Sequence, residues 1–308
     1  MREPNRCQAM IVERHGKLSE ADFRDNFLIP RHPVVLTCAI DAWPACGLWS
    51  LDFFRSRYGD RMFVCRGQRE SVRLADYIDS LAESSFDQPA PYLRNINIQS
   101  DWPELISDIS PAVCYSRADW LSSRLMPKNW PRPHHLNQFF MSGTGTKIPL
   151  HYDDWMTHNV VSNLIGEKEF LLFDPDQGQY LYPSDKAYLV SKIPDPFAVD
   201  LAQFPAFALA RQVRVALGPG ESLFVPCGWW HTTRTLSTCI SVSSSFANRH
   251  NWSAVVAEMR RLRSFSGSAV WKTHMICWYL TAVGALLGLA SVLHSASGLG
   301  SFRVGSKV

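Results

Sequence analysis

The sequence has no paired cysteines. Its eight, Cys7, Cys38, Cys46, Cys65, Cys114, Cys227, Cys239 and Cys277, stand singly, with no CxxC unit. That excludes a zinc-ribbon module and argues against a disulfide framework; reduced, mostly buried thiols in a cytoplasmic compartment are expected instead. There is also no charge excess, because 31 Lys and Arg against 28 Asp and Glu leave a net charge of +3. So even a balance gives no electrostatic footprint for nucleic acid, which is not expected as a partner. The first twenty residues, "MREPNRCQAMIVERHGKLSE", contain no apolar run, so no secretory signal is expected. Internal repeats and low-complexity runs are missing too. What remains is globular in composition: 308 residues, 46% hydrophobic and 12% aromatic, enough for a full core.

The apolar run missing from the N-terminus is found near the other end. From Met275 to Leu293, "MICWYLTAVGALLGLASVL", no residue is charged. As a helix this stretch covers about 28 Å, close to the hydrocarbon thickness of a bilayer. Trp278 and Tyr279 suit an interface, and Arg260, Arg261, Arg263 and Lys272 ahead of the run outnumber Arg303 and Lys307 behind it. This bias places the main domain on the cytoplasmic side of a membrane, tail-anchored by residues 275–293. The alternative is a buried dimerisation helix in a homodimer, which Gly284, Gly288 and Ser291 would suit equally well.

Between these ends the pattern changes once. Residues 15–130 mix strands ("PVVLTCAI", "MFVCR", "PYLRNINI") with helices ("SLDFFRSRYG", capped by Ser50, and "SVRLADYIDSLAES", with Leu74, Tyr77 and Leu81 on one face). Residues 131–250 are β-rich: "NQFFMSG", "THNVVSNLIG", "EKEFLLFDP", "RQVRVALGPG", "ESLFVPCG", "HTTRTLS" and "CISVSSSFA" are short runs bounded by turn residues. Strands at this spacing predict a sandwich or barrel. Residues 182–207, Pro-rich and weakly periodic, read as an ordered insertion over it, a common place for substrate contacts. A closing helix (251–265), a hinge (266–274), the apolar helix (275–293) and tails at 1–14 and 294–308 complete the division.

Within the β-rich part, "PLHYDDWMTHNVV" carries the chemistry. Residues two apart in extended chain share a side, so His151 and Asp153 can offer an imidazole and a carboxylate to one ion. The candidate third ligand is His231, at the end of "GPGESLFVPCGWWH". Two histidines and a carboxylate on one face suit non-haem Fe(II) and O2 chemistry, although zinc hydrolases use some of the same ligands. His158, at a strand start, reads as a core or partly exposed histidine, and His134 and His135 as loop residues. Lys168 is either a surface lysine on an edge strand or, if it points inward, the counter-charge for a dicarboxylate. Trp229 and Trp230 are expected to pack the barrel mouth.

The run "PLHYDDWMTHNVVSNLIGEKEFLLFDPDQGQYLYP", then "LAQFPAF" and "LGPGESLFVPCGWWHTTRTL", resembles the JmjC family of cupin-fold hydroxylases, and within it the small factor-inhibiting-HIF-like (cupin-8) branch. The likeness extends over residues 15–250. It implies a mostly β protein: a double-stranded β-helix (jelly-roll) core, an α/β N-terminal segment, a C-terminal helix and, outside the likeness, the apolar helix. It also implies Fe(II) held by His151, Asp153 and His231, with O2 and the cosubstrate 2-oxoglutarate. Lys168 and Tyr92 would hold the far carboxylate of that cosubstrate, with Asn159 and Ser245 flanking it or the metal. Ile148 stands where relatives often carry a cosubstrate-binding Thr, and Thr146 is expected to take that role through a bulge. The implied activity is hydroxylation of an unidentified protein side chain or small molecule, or demethylation, by a cytoplasmic catalytic domain. The alternatives are a catalytically silent cupin acting as a membrane-tethered scaffold, and a zinc or manganese cupin, which Lys168 and Tyr92 disfavour.

Overall fold

The structure is a computed structural model describing residues 11–65, 67–116, 119–126, 137–185, 187–265 and 269–296. His134, His135 and Cys7 lie outside the described residues. The N-terminal part runs β1 (Glu13–His15), α1 (Glu20–Phe23), β2 (Val34–Leu36), α2 (Ala45–Leu48), α3 (Leu51–Tyr58), β3 (Met62–Phe63), β4 (Val72–Arg73), α4 (Leu74–Ser80), β5 (Leu93–Asn97) and α5 (Ile98–Asp101). β6 (Asn137–Ser142), β7 (His158–Ile165), β8 (Lys168–Phe173), β9 (Val213–Leu217), β10 (Ser222–Val225), β11 (Trp230–Thr235) and β12 (Cys239–Phe246) follow, and two helices, α6 (Trp252–Phe265) and α7 (Val270–Ala296), close the described chain.

Two sheets face each other. The larger has the order β1-β2-β10-β7-β12-β6-β5 and the smaller β11-β8-β9. This is the expected β-rich cupin architecture, and the N-terminal segment contributes β1, β2 and β5 to it. β8 is buried along its whole length, which explains why "KEFLLF" reads as a continuous apolar run after its lysine. β9 borders the small sheet, so Val213, Val215 and Leu217 face inward and alternate with exposed Arg214 and Ala216. Phe170, Leu172, Val215, Leu217, Leu223 and Val225 form one core cluster. A second, containing Phe54, Trp102, Leu93 and Phe139, packs the N-terminal helices on strands β5 and β6.

Several boundaries differ from expectation. β1 starts at Glu13, inside the expected tail, because it pairs in parallel with β2. "SVRL" opens as β4 on β3 before α4 begins at Leu74. Ser50 caps α3 as expected, its hydroxyl accepting from the Phe53 amide at 3.0 Å. α7 begins at Val270, five residues before the apolar run, so the expected hinge is partly helix. α7 is also docked: Cys277, Leu280 and Val283 pack with Trp252, Val255 and Met259 of α6, and Trp252 Nε1 donates to the Leu280 carbonyl at 2.8 Å.

Candidate active site

His151 and His231, eighty positions apart, are brought together by backbone pairing. The amide of His151 donates to the His231 carbonyl at 3.0 Å and the reverse bond is 2.6 Å. A doubly bonded antiparallel pair sets two side chains side by side, and the two imidazole centroids are 4.4 Å apart. Asp153, two residues further along, brings Oδ1 to 3.8 Å from Nε2 of each histidine. One ligand atom from each of the three lies within 4.8 Å of the others, a separation that a single ion can bridge.

The outer contacts of this trio fit a metal. His151 Nδ1 sits 2.8 Å from the Pro149 carbonyl and His231 Nδ1 3.1 Å from the Trp229 carbonyl. A carbonyl only accepts, so both Nδ1 atoms carry the hydrogen and both Nε2 lone pairs are turned to the shared centre. Asn159 Nδ2 donates to Asp153 Oδ2 at 3.1 Å, leaving Oδ1 for coordination, and Asn159 Oδ1 accepts from the Ser243 hydroxyl at 2.8 Å. Two neutral imidazoles and one carboxylate on one face suit a divalent iron and leave its other positions open.

The trio opens into a cavity of about 550 Å³ between the sheets. Lys168 lies within it, 2% exposed, its Nζ 3.2 Å from the Tyr92 hydroxyl and 2.9 Å from the Ser241 hydroxyl. Burial opposes its charge, but the neighbouring Cys239 and Tyr92 groups favour it and the net shift is upward. Burial also pushes the Tyr92 phenol and the Cys239 thiol upward, so both stay neutral near pH 7 and give Lys168 dipoles without a countercharge. Among the described residues Lys168 has no carboxylate partner. A buried ammonium in that condition favours the arrival of an anion.

The structure therefore gathers His151, Asp153, His231, Lys168, Tyr92, Asn159 and Ser245 around one cavity. Thr146 is not among them: it ends the turn at Gly145 (φ +83°), before the strand register begins, and its hydroxyl donates to the Ala90 carbonyl at 3.2 Å. Ile148 lines the cavity, as does Thr233, which sequence reasoning missed together with Ser241 and Ser243. Period two would have found them, since Thr233 follows His231 by two and Ser241, Ser243 and Ser245 share one face of β12. Leu189 and Val190 of the 182–207 insertion reach the wall. Trp229 (1% exposed) and Trp230 are packing residues; Trp229 Nε1 donates to the Arg31 carbonyl at 2.9 Å. His158 is a core residue, and its Nδ1 accepts from the Cys227 amide at 3.2 Å.

A two-sheet barrel with such a trio at its mouth has the cupin architecture with a candidate metal site. The chain belongs to the cupin-like domain family, whose model matches residues 20–251. Among curated proteins it is similar to lysine-specific demethylase 8 of Xenopus tropicalis, 30% identical over 232 residues, covering 72% of this chain and 49% of the relative. It is similar also to lysine-specific demethylase JMJ30 of Arabidopsis thaliana, 28% identical over 250 residues, covering 77% and 55%. A third is the human bifunctional peptidase and (3S)-lysyl hydroxylase JMJD7, 24% identical over 263 residues, covering 72% and 79%. The chain thus spans about half the length of the first two.

Proposed function

We propose that the chain is an Fe(II)- and 2-oxoglutarate-dependent oxygenase that hydroxylates a protein side chain or a small molecule. Names of relatives that record lysine demethylation and lysyl hydroxylation support this reading. The observation that carries it is Lys168: a buried cation with no countercharge among the described residues, in the same cavity as a two-histidine, one-carboxylate trio. Bound iron with 2-oxoglutarate and O2 supplies C–H oxidation, releasing succinate and CO2. His151, Asp153 and His231 hold the ion by one face. Lys168 pairs with the distal carboxylate of the cosubstrate, with the Tyr92 and Ser241 hydroxyls steadying the ammonium. Asn159 fixes the Asp153 rotamer, and Phe140, Val161 and Phe170 keep that wall apolar. If the oxidised carbon is attached to nitrogen, the product loses it as an aldehyde, which is demethylation.

The test is succinate formation from 2-oxoglutarate with Fe(II) and ascorbate by the full chain, over a panel of peptides and small molecules. Turnover should exceed that of His151→Ala at least about a hundredfold, as loss of a coordinating group requires. Equal rates would end the oxygenase reading and leave the silent cupin.

The reading extends to location: α7 tethers the domain to a membrane. Val270–Ser291 is long and apolar enough to cross one, and much of its surface is exposed. The tether reading fails if the full chain leaves membranes in high salt or carbonate without detergent.

A further inference from the structure

Several arginines among the described residues are matched to a carboxylate. Arg55, Arg61, Arg73, Arg214 and Arg234 each reach a carboxylate. Arg94 is not. It lines the cavity of the His–Asp–His trio, half-buried, and among the described residues its side chain has no hydrogen bond and no ion pair. Asn95 and Gln138, on the same wall, likewise carry side-chain amides with no partner among the described residues.

A device in the backbone puts them there. β5 pairs with β6 at Leu93 opposite Met141 and next at Ile96 opposite Phe139, three steps on one strand against two on the other. The extra residue is a bulge at Arg94–Asn95, with Asn95 at φ 61° in the left-handed region. A bulge re-aims side chains, and a non-glycine residue at positive φ is a cost kept where geometry matters. Here it holds Arg94 on the cavity side, two residues beyond Tyr92.

Among the described residues no ion pair takes up this cation. The cavity walls carry Lys168, Arg94, Asp153 and Asp154. Lys168 is taken by the cosubstrate and Asp153 by the metal in the function proposed above, on which this inference rests. Arg94 stands within ion-pair distance of neither aspartate. A guanidinium sharing a cavity wall with two carboxamides presents planar donors, the arrangement that fits a carboxylate two-pronged. One positive charge matches a carboxylate; the nearly two negative charges of a phosphate monoester would be left half uncompensated.

The geometry points to Arg94, with Asn95 and Gln138, as the subsite for a carboxylate on the prime substrate, so the molecule oxidised is an acid. Its source is an acidic side chain in a peptide or a free small carboxylic acid. Binding without turnover separates these. The full chain is loaded with Mn(II) and saturated with 2-oxoglutarate, and paramagnetic broadening of probe protons reports approach to the metal. The probes are N-acetyl-aspartate and N-acetyl-glutamate methylamides for the peptide source, butyrate for the free acid, and the asparagine, glutamine and butyramide counterparts as neutral controls.

At least one acid should broaden about fivefold more than its amide, and Arg94→Gln should abolish the difference, as loss of a charge-assisted pair requires. Arg94→Glu should transfer the preference to N-acetyl-lysine methylamide. If Arg94→Gln does not fold, Arg94→Lys, which keeps the charge and loses the fork, should give an intermediate ratio. Equal broadening of acids and amides in the wild type, or an acid preference that survives in Arg94→Gln, overturns the proposal. So does a loss of broadening of 2-oxoglutarate itself in Arg94→Gln, which would assign Arg94 to the cosubstrate. Failure of 2-oxoglutarate to broaden with the wild type would instead overturn the oxygenase reading beneath it.

Discussion

Two buried side chains show opposite relations between stability and function. Lys168 is held without a countercharge among the described residues, so Lys168→Met should raise the melting temperature of the metal-free protein while weakening 2-oxoglutarate binding about a hundredfold, as loss of one partner of a buried pair does. Calorimetry of both quantities checks it; a variant that is less stable and still binds would assign Lys168 a packing role. His158 is fully buried among Phe224 and Phe246. Burial, and then the charges of Arg31 and His250, push it down to about 3. The unfolded chain takes up that proton below about pH 6.5. Stability from a neutral His158 is therefore complete above pH 6.5 and drains away as pH falls toward 3, by about 1.4 kcal/mol per unit in that window. His158→Gln, which keeps an acceptor for the Cys227 amide, should flatten stability against pH between 6.5 and 4. An unchanged slope would exclude His158 as the source. The site residues were legible to different depths. The spacing of two made His151 and Asp153 candidates at once, whereas the inward aim of Lys168 depended on which face of β8 meets the cavity. The expectation for Thr146 came from the family likeness, and beside the turn at Gly145 its hydroxyl donates to the Ala90 carbonyl instead.

At the scale of elements, the seven β runs of residues 137–246 were visible because turn residues bound each of them, and all seven are strands. What no periodicity shows is pairing: the His151–His231 bridge and the bulge in β5 are relations between distant segments. The same holds for α7, whose apolarity was plain and whose docking on α6 was not. That docking depends on Gly284, where a Cβ would lie 2.4 Å from Trp252 Cδ1. Gly288, one turn on, has only Trp120 Cη2 at 3.9 Å. Gly→Ala in an open helix gains about 1 kcal/mol. Gly288→Ala should thus slow amide exchange along α7, while Gly284→Ala should speed it by displacing the Trp252 ring. If both substitutions act alike, the contact is not what holds the helix. Truncation near residue 265 would expose Trp252, Val255 and Met259, so activity is best measured on the full chain.

For the whole molecule the question is what meets the outer face of α7. Trp271 (60% exposed), Met275 (61%), Trp278 (74%), Leu286 (57%), Leu289 (59%) and Leu293 (61%) follow one another at helical spacing, opposite the stripe on α6. A soluble monomer rarely leaves so long an apolar stripe in water. The docked helix can lie along a bilayer surface with that stripe immersed, or cross it after releasing α6. On the tether reading, either case would keep the domain close to the lipid. Trp155 lines the cavity and also packs on the α6–α7 cluster. Asn251, just ahead of α6, ties down the same loop through the Met156 carbonyl at 2.8 Å. A tethered α7 would thus hold the cavity near the membrane, where its substrates would be met. Wild type should float with neutral phosphatidylcholine vesicles, and flotation should survive 1 M salt, at which screening reaches within about 3 Å. Trp278→Glu combined with Leu289→Glu should abolish flotation at little cost in melting temperature, because both side chains face outward. A wild type that stays at the bottom of the gradient as a dimer, made monomeric by the same pair, would give the stripe to a second copy of the chain instead.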